Sequence, residues 1–105
     1  MIYAAPNQTD SKVDFKARYG NFIGGEWVAP VQGQYFDNLS PVNGQNFCEI
    51  PRSTAEDIEL ALDAAHQAKE AWGKRSVTER SNILLKIADR MEANLEKLAV
   101  AETWD

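Results

Sequence analysis

The sequence predicts an α+β chain: an amino-terminal arm, two β-hairpins and then two to three α-helices. Three observations carry that prediction. Before residue 52 the apolar residues come in short runs interrupted by glycine, proline and asparagine, the composition of turns between strands. From Ser53 the apolar spacing lengthens to that of a helix. Where the spacing changes, serine or threonine stands three residues ahead of an acidic residue, which is how a helix start satisfies its own free N–H groups.

Residues 1–20 are polar and mixed, contain Pro6 and show no period. They are expected to form an arm that is ordered only by packing on something else. In "NFIGGEWV", residues 21–28, the runs Phe22-Ile23 and Trp27-Val28 flank Gly24-Gly25 and Glu26. A Gly-Gly pair supplies the positive φ angles of a two-residue turn, so this stretch reads as a short hairpin. "APVQG" at 29–33 is a loop. A larger hairpin follows: a strand from Tyr35 to Ser40, the turn Pro41-Val42-Asn43-Gly44, and a returning strand from Asn46 to Ile50 that Pro51 ends.

In the first helix, Ile58, Ala61, Leu62, Ala65, Ala68 and Trp72 share one face. Either Ser53 with Glu56 or Thr54 with Asp57 has the spacing of its capping box, and Gly73 is the expected C-terminal cap. Glu70 and Lys74 are spaced as an i,i+4 ion pair. The second helix starts after Ser76, boxed by Glu79, with Ile83, Leu84, Ile87, Ala88, Met91, Leu95, Leu98 and Ala99 on its stripe. Asn94 interrupts that run and is a fair N-cap, so a kink or two abutting helices are expected there. The first helix is expected to cover part of the second's stripe, although its alanine-rich face offers little area. Apolar surface is therefore expected to remain uncovered within these residues. The segment "LEKLAVAETWD" at 95–105 has no glycine cap, proline stop or polar tail. Its form predicts that the chain belongs to a longer polypeptide.

Composition narrows the function. The 105 residues are 44% apolar and 26% charged, as in an ordinary folded domain. A net charge of −5 with no basic run argues against a nucleic-acid footprint. One cysteine, Cys48, and one histidine, His66, cannot build a structural zinc site. No run approaches a membrane span, and no signal peptide is evident, so a cytoplasmic setting is expected.

The combination "FIGGEW", "SPVNG", the capped helix with "ALDAA" at 61–65, "RSNILLKIADR" and "ETWD" resembles the amino-terminal stretch of the NAD(P)-dependent aldehyde dehydrogenase superfamily. It is most similar to the bacterial acetaldehyde-type enzymes, and the resemblance covers about Lys16 to Asp105. It implies oxidation of a short aliphatic aldehyde to the acid with NAD or NADP through a cysteine thioester. It also implies that residues 21–105 open a Rossmann-like cofactor-binding domain, the helices lying on a parallel sheet formed downstream. The catalytic and cofactor-binding residues of the family would also lie downstream. The implied partners are the remainder of such a chain and further copies in a homo-oligomer. Residues 1–105 alone would be inactive and would bind no cofactor. Asp105, with the backbone carbonyls of Asn38 and Leu39, matches where many family members hold a structural monovalent cation. The competing reading is a non-enzymatic helical-hairpin module that uses its apolar stripe to bind a partner, or an inactive remnant of the enzyme.

The remaining candidates have simpler readings. Cys48 in a strand is expected to be a small buried hydrophobe rather than a nucleophile. Gly24-Gly25 lacks both the G-x-G-x-x-G spacing and a following helix. His66 borders the apolar stripe without a partner, and Trp72 and Trp104 are expected in core or interface packing.

Overall fold

The computed structural model describes residues 3–105, so the first two residues of the predicted arm lie outside it. The first hairpin pairs β1 (Asn21–Ile23) with β2 (Glu26–Val28). Gly24 and Gly25 have φ of +62° and +85°, the pair of left-handed conformations that a tight turn between twisted strands requires. The register places Phe22 opposite Trp27, with the rings edge to face at 5.0 Å. The second hairpin pairs β3 (Tyr35–Leu39) with β4 (Asn46–Pro51). Its register runs from Tyr35 opposite Pro51 to Asn38 opposite Cys48, then slips by one so that Leu39 faces Asn46. This bulge leads into the turn, where the Ser40 N–H donates to the Gln45 carbonyl and the Gly44 N–H to the Ser40 carbonyl.

The arm finds its support within this chain. The Glu49 N–H donates to the Ala17 carbonyl at 2.8 Å, and the Tyr19 N–H to the Glu49 carbonyl at 3.0 Å, laying the arm parallel along β4. Arg18 reaches the Glu49 carboxylate at 2.7 Å and stacks over the Tyr35 ring.

Three helices follow: α1 (Ala55–Lys74), α2 (Val77–Ala93) and α3 (Leu95–Trp104). Of the two candidate boxes at the start of α1, Thr54 with Asp57 forms. The Thr54 N–H donates to Asp57 Oδ2 at 2.8 Å, while the Ser53 hydroxyl accepts instead from the Asn21 amide. Gly73 is not the C-terminal cap. It lies inside the last turn, and α1 ends at Arg75 in an extended conformation, followed at once by Ser76, whose hydroxyl accepts from the Glu79 N–H at 3.1 Å. The Glu70–Lys74 ion pair forms at 2.6 Å.

The helical run does divide at Asn94, but its side chain does not cap α3. The Asn94 amide donates to the Arg90 carbonyl at 2.8 Å, closing the end of α2, while its own carbonyl accepts from the Leu98 N–H. The expected cover of α2 by α1 does not bury any residue of α2. The main packing of α1 is with β1 and that of α2 is with α3, and no residue of α2 is buried. Alanines along the α1 face supply too little apolar area to hold a second helix against it.

Among the described residues the buried apolar side chains are Val13, Cys48 and Val100, one each from the arm, β4 and α3, and Pro30 in the loop after β2. The rest is spread thinly. The molecule measures 47 × 36 × 19 Å with a radius of gyration of 17.3 Å, where a closely packed domain of this length has about 13 Å. Its accessible surface is 8228 Å², against roughly 5,900 Å² for a folded monomer of the same mass.

Candidate functional site

Polar groups from three elements meet where the β3 bulge approaches the end of α3. The Asn38 side-chain amide donates to Asp105 Oδ1 at 2.6 Å, joining residues 67 positions apart. The Asp105 backbone N–H closes α3 on the Ala101 carbonyl, and the Asn38 backbone N–H donates to the Asn46 side-chain oxygen. The Asn38 amide also lies 3.9 Å from Cys48 Sγ. Leu39 adjoins this corner at the bulge and is exposed.

Cys48 is 4% exposed. Burial pushes its thiol above the ordinary cysteine value; the Asn38 hydrogen bond opposes that shift, and the Asp105 charge adds to it. A thiol held protonated in this way is a poor nucleophile at neutral pH. The sequence candidates Asn38 and Asp105 are thus in contact, with Leu39 next in the chain. Among the described residues no three His, Cys, Asp or Glu side chains cluster as ligands, so a cation here would rest on one carboxylate and backbone carbonyls. Such an all-oxygen set fits a hard cation.

A second carboxylate, this one buried, was legible only in part. Asp57 caps α1, but its Oδ1 also accepts from the Val31 N–H at 2.9 Å, across 26 residues. These backbone bonds, from Thr54 and then Val31, hold its pKa below the usual carboxylate range against the opposing effect of burial.

The other candidates stay apart. Gly24-Gly25 leads into β2, so it presents no helix N-terminus to a pyrophosphate. His66 and Trp72 are exposed on α1, and Trp104 is half-buried on α3. Arg80 Nε, in the first turns of α2, is buried without a hydrogen-bond partner.

A hairpin-and-helix chain with so little enclosed core is matched as one part of larger proteins. The model of the aldehyde dehydrogenase family matches residues 27–105. The chain is 72% identical over its full length to a long-chain-aldehyde dehydrogenase of Acinetobacter sp, and 71% identical to an acetaldehyde dehydrogenase of Pseudomonas aeruginosa. It covers 21% of each of those relatives. The crystal structure of an NAD-dependent aldehyde dehydrogenase from Sinorhizobium meliloti superimposes on 97% of the chain with a TM-score of 0.78 at 32% identity, and 21% of that protein is covered. The chain belongs to the aldehyde dehydrogenase family. It spans about a fifth of the length of the relatives it matches.

Proposed function

We propose that these residues are the leading part of an NAD(P)-dependent aldehyde dehydrogenase that oxidises a short aliphatic aldehyde to the carboxylic acid. Residues 1–20 are its amino-terminal arm and residues 21–105 begin its cofactor-binding domain. The observation that carries this reading is identity above 70% along the whole chain to proteins named for aldehyde oxidation. The net reaction consumes aldehyde, NAD(P)+ and water and yields the acid, NAD(P)H and a proton. The thioester-forming cysteine and the cofactor cradle are contributed by residues outside 1–105.

The role of the present residues is structural. The helices lie on a Rossmann-like sheet supplied by the remainder of the polypeptide, and that sheet covers Ile58, Leu84, Ile87 and Met91, which are 45–63% exposed here. The buried, unpartnered Nε of Arg80 supports an acceptor arriving from the same side. Asp105, with the carbonyls of Asn38 and Leu39, holds a structural monovalent cation; the 2.6 Å contact between Asn38 and Asp105 supports a shared corner. The enzyme is a cytoplasmic homo-oligomer. No helix among the described residues is long and apolar enough to cross a membrane.

The test is to express the complete gene product and follow NADH or NADPH absorbance with acetaldehyde and with a long-chain aldehyde. The expected result is turnover with a larger kcat/KM for acetaldehyde, preserved in Cys48→Ala, and none from residues 1–105 alone. Absence of turnover with any aldehyde overturns the reading. A preference for the long chain overturns the substrate assignment only.

A further inference from the structure

We propose that the amino-terminal arm, residues 3–20, is a clasp that holds α3 onto the β3–β4 hairpin and so fixes Asp105 against Asn38. Little else joins these elements. The main packing partner of α3 is α2, which has no buried residue of its own. Among the described residues its direct polar link to the hairpin is the Asn38–Asp105 hydrogen bond, between a half-buried asparagine and an exposed aspartate. One such bond is too little to order a ten-residue helix against a sheet, because fixing each residue's backbone costs as much as a hydrogen bond returns.

The arm supplies what is missing by gripping both sides. On the hairpin it has the two backbone bonds to Glu49, the Arg18–Glu49 pair at 2.7 Å, and the Phe15 ring set edge-on against Phe47 at 4.8 Å. On α3 it has Lys12 at 3.6 Å from Glu96, and Tyr3 set beside Leu95 and Val100. Phe15 and Tyr19 then share one cleft with Phe47, Ile50, Leu98 and Ala101. The buried residues tell the same story, since Val13, Cys48 and Val100 come one from each of the three elements.

The arm is also shaped in advance. Asn7 adopts φ +64°, and its side-chain amide holds the Phe15 backbone at both N–H (2.8 Å) and carbonyl (3.1 Å). Asp14 accepts from the Asn7 N–H and the Ser11 hydroxyl. A closed loop of this kind presents Val13 and Phe15 with part of the ordering cost already met. The clasp stands on these contacts whether or not a cation sits at Asp105.

The experiment is hydrogen–deuterium exchange on the complete gene product, read by peptide, for Val13→Ala and Asn7→Gly. Glycine tolerates the left-handed backbone, so this change removes the amide grip without adding steric strain, while leaving the free loop more mobile. The expected result is exchange about tenfold faster in α3 and β4, with α1 unchanged. Unchanged α3 exchange in both variants overturns the clasp. So does equal acceleration of α1, which would make the arm a general stabiliser. Should Val13→Ala fail to fold, Asn7→Gly decides alone by the same criteria.

Discussion

Asp57 and Cys48 are both buried, yet their surroundings move their protons in opposite senses. Cys48 keeps its proton because burial, with the Asp105 charge behind it, outweighs the Asn38 hydrogen bond, whereas Asp57 receives two backbone N–H groups and gives its proton up readily. For Asp57 the folded-state pKa lies below the unfolded one. Its contribution to stability is therefore fully present above the ordinary carboxylate pKa, and is lost as pH falls through the lower folded-state value. Asp57→Asn replaces one acceptor oxygen by a donor that faces an N–H. The expected outcome is a Tm at pH 7 lower by several degrees and a shallower loss of Tm between pH 5 and pH 3, read by thermal scans across that range. Half of this site was legible in the sequence. Thr54-x-x-Asp57 announces a capping box, but the bond to Val31 joins residues 26 apart, and no local pattern encodes it. The Asn38–Asp105 contact was hidden for the same reason. Its residues were nominated by resemblance, and only the fold reveals that the asparagine side chain, beyond its carbonyl, makes the contact.

At the scale of elements, local chemistry was read correctly wherever a local rule decides. Gly24-Gly25 made the hairpin, Ser76 with Glu79 made the second helix start, and Asn94 marked the break between α2 and α3. Gly73 was misread because a glycine near a helix end has two uses, and the sequence does not say which applies. Its backbone stays helical, the helix runs on through Lys74, and the chain leaves in an extended conformation at Arg75. A Cβ built at Gly73 meets nothing within 4 Å. The two readings predict opposite signs. A left-handed cap would make Gly73→Ala destabilising, whereas a glycine inside the last turn makes the same change stabilising by about 0.5–1 kcal/mol. Denaturant unfolding of the complete gene product and its Gly73→Ala variant is expected to show the second result, as a higher midpoint with an unchanged slope.

For the whole molecule, the question is what covers the helices. Hydrophobic spacing correctly identified the stripe that runs from Ile83 through Met91 to Leu98, because the 3.6-residue period is written in the chain. The same spacing is silent about what lies against the stripe, and here the expected cover from α1 buries no residue of α2. The chain's surface exceeds the roughly 5,900 Å² expected for this mass by over 2,000 Å², and the uncovered stripe is part of that excess. Leu84 lies on it and is 63% exposed among these residues. An aspartate placed on an open helix face changes stability little, within about 0.5 kcal/mol, whereas one forced under a packed sheet costs several kcal/mol because its charge loses water without gaining a partner. Leu84→Asp in the complete gene product is therefore expected to lower Tm by about three degrees or more, or to abolish soluble expression, because about 3 kcal/mol of loss is spread over the unfolding entropy of a chain about five times this length. Glu79 is exposed in the first turn of the same helix, so Glu79→Gln serves as the control and is expected to move Tm by no more than a degree or two. A Leu84→Asp protein that melts with the control would mean that the stripe faces water in the assembled protein, and the placement of these helices on a sheet would fall with it.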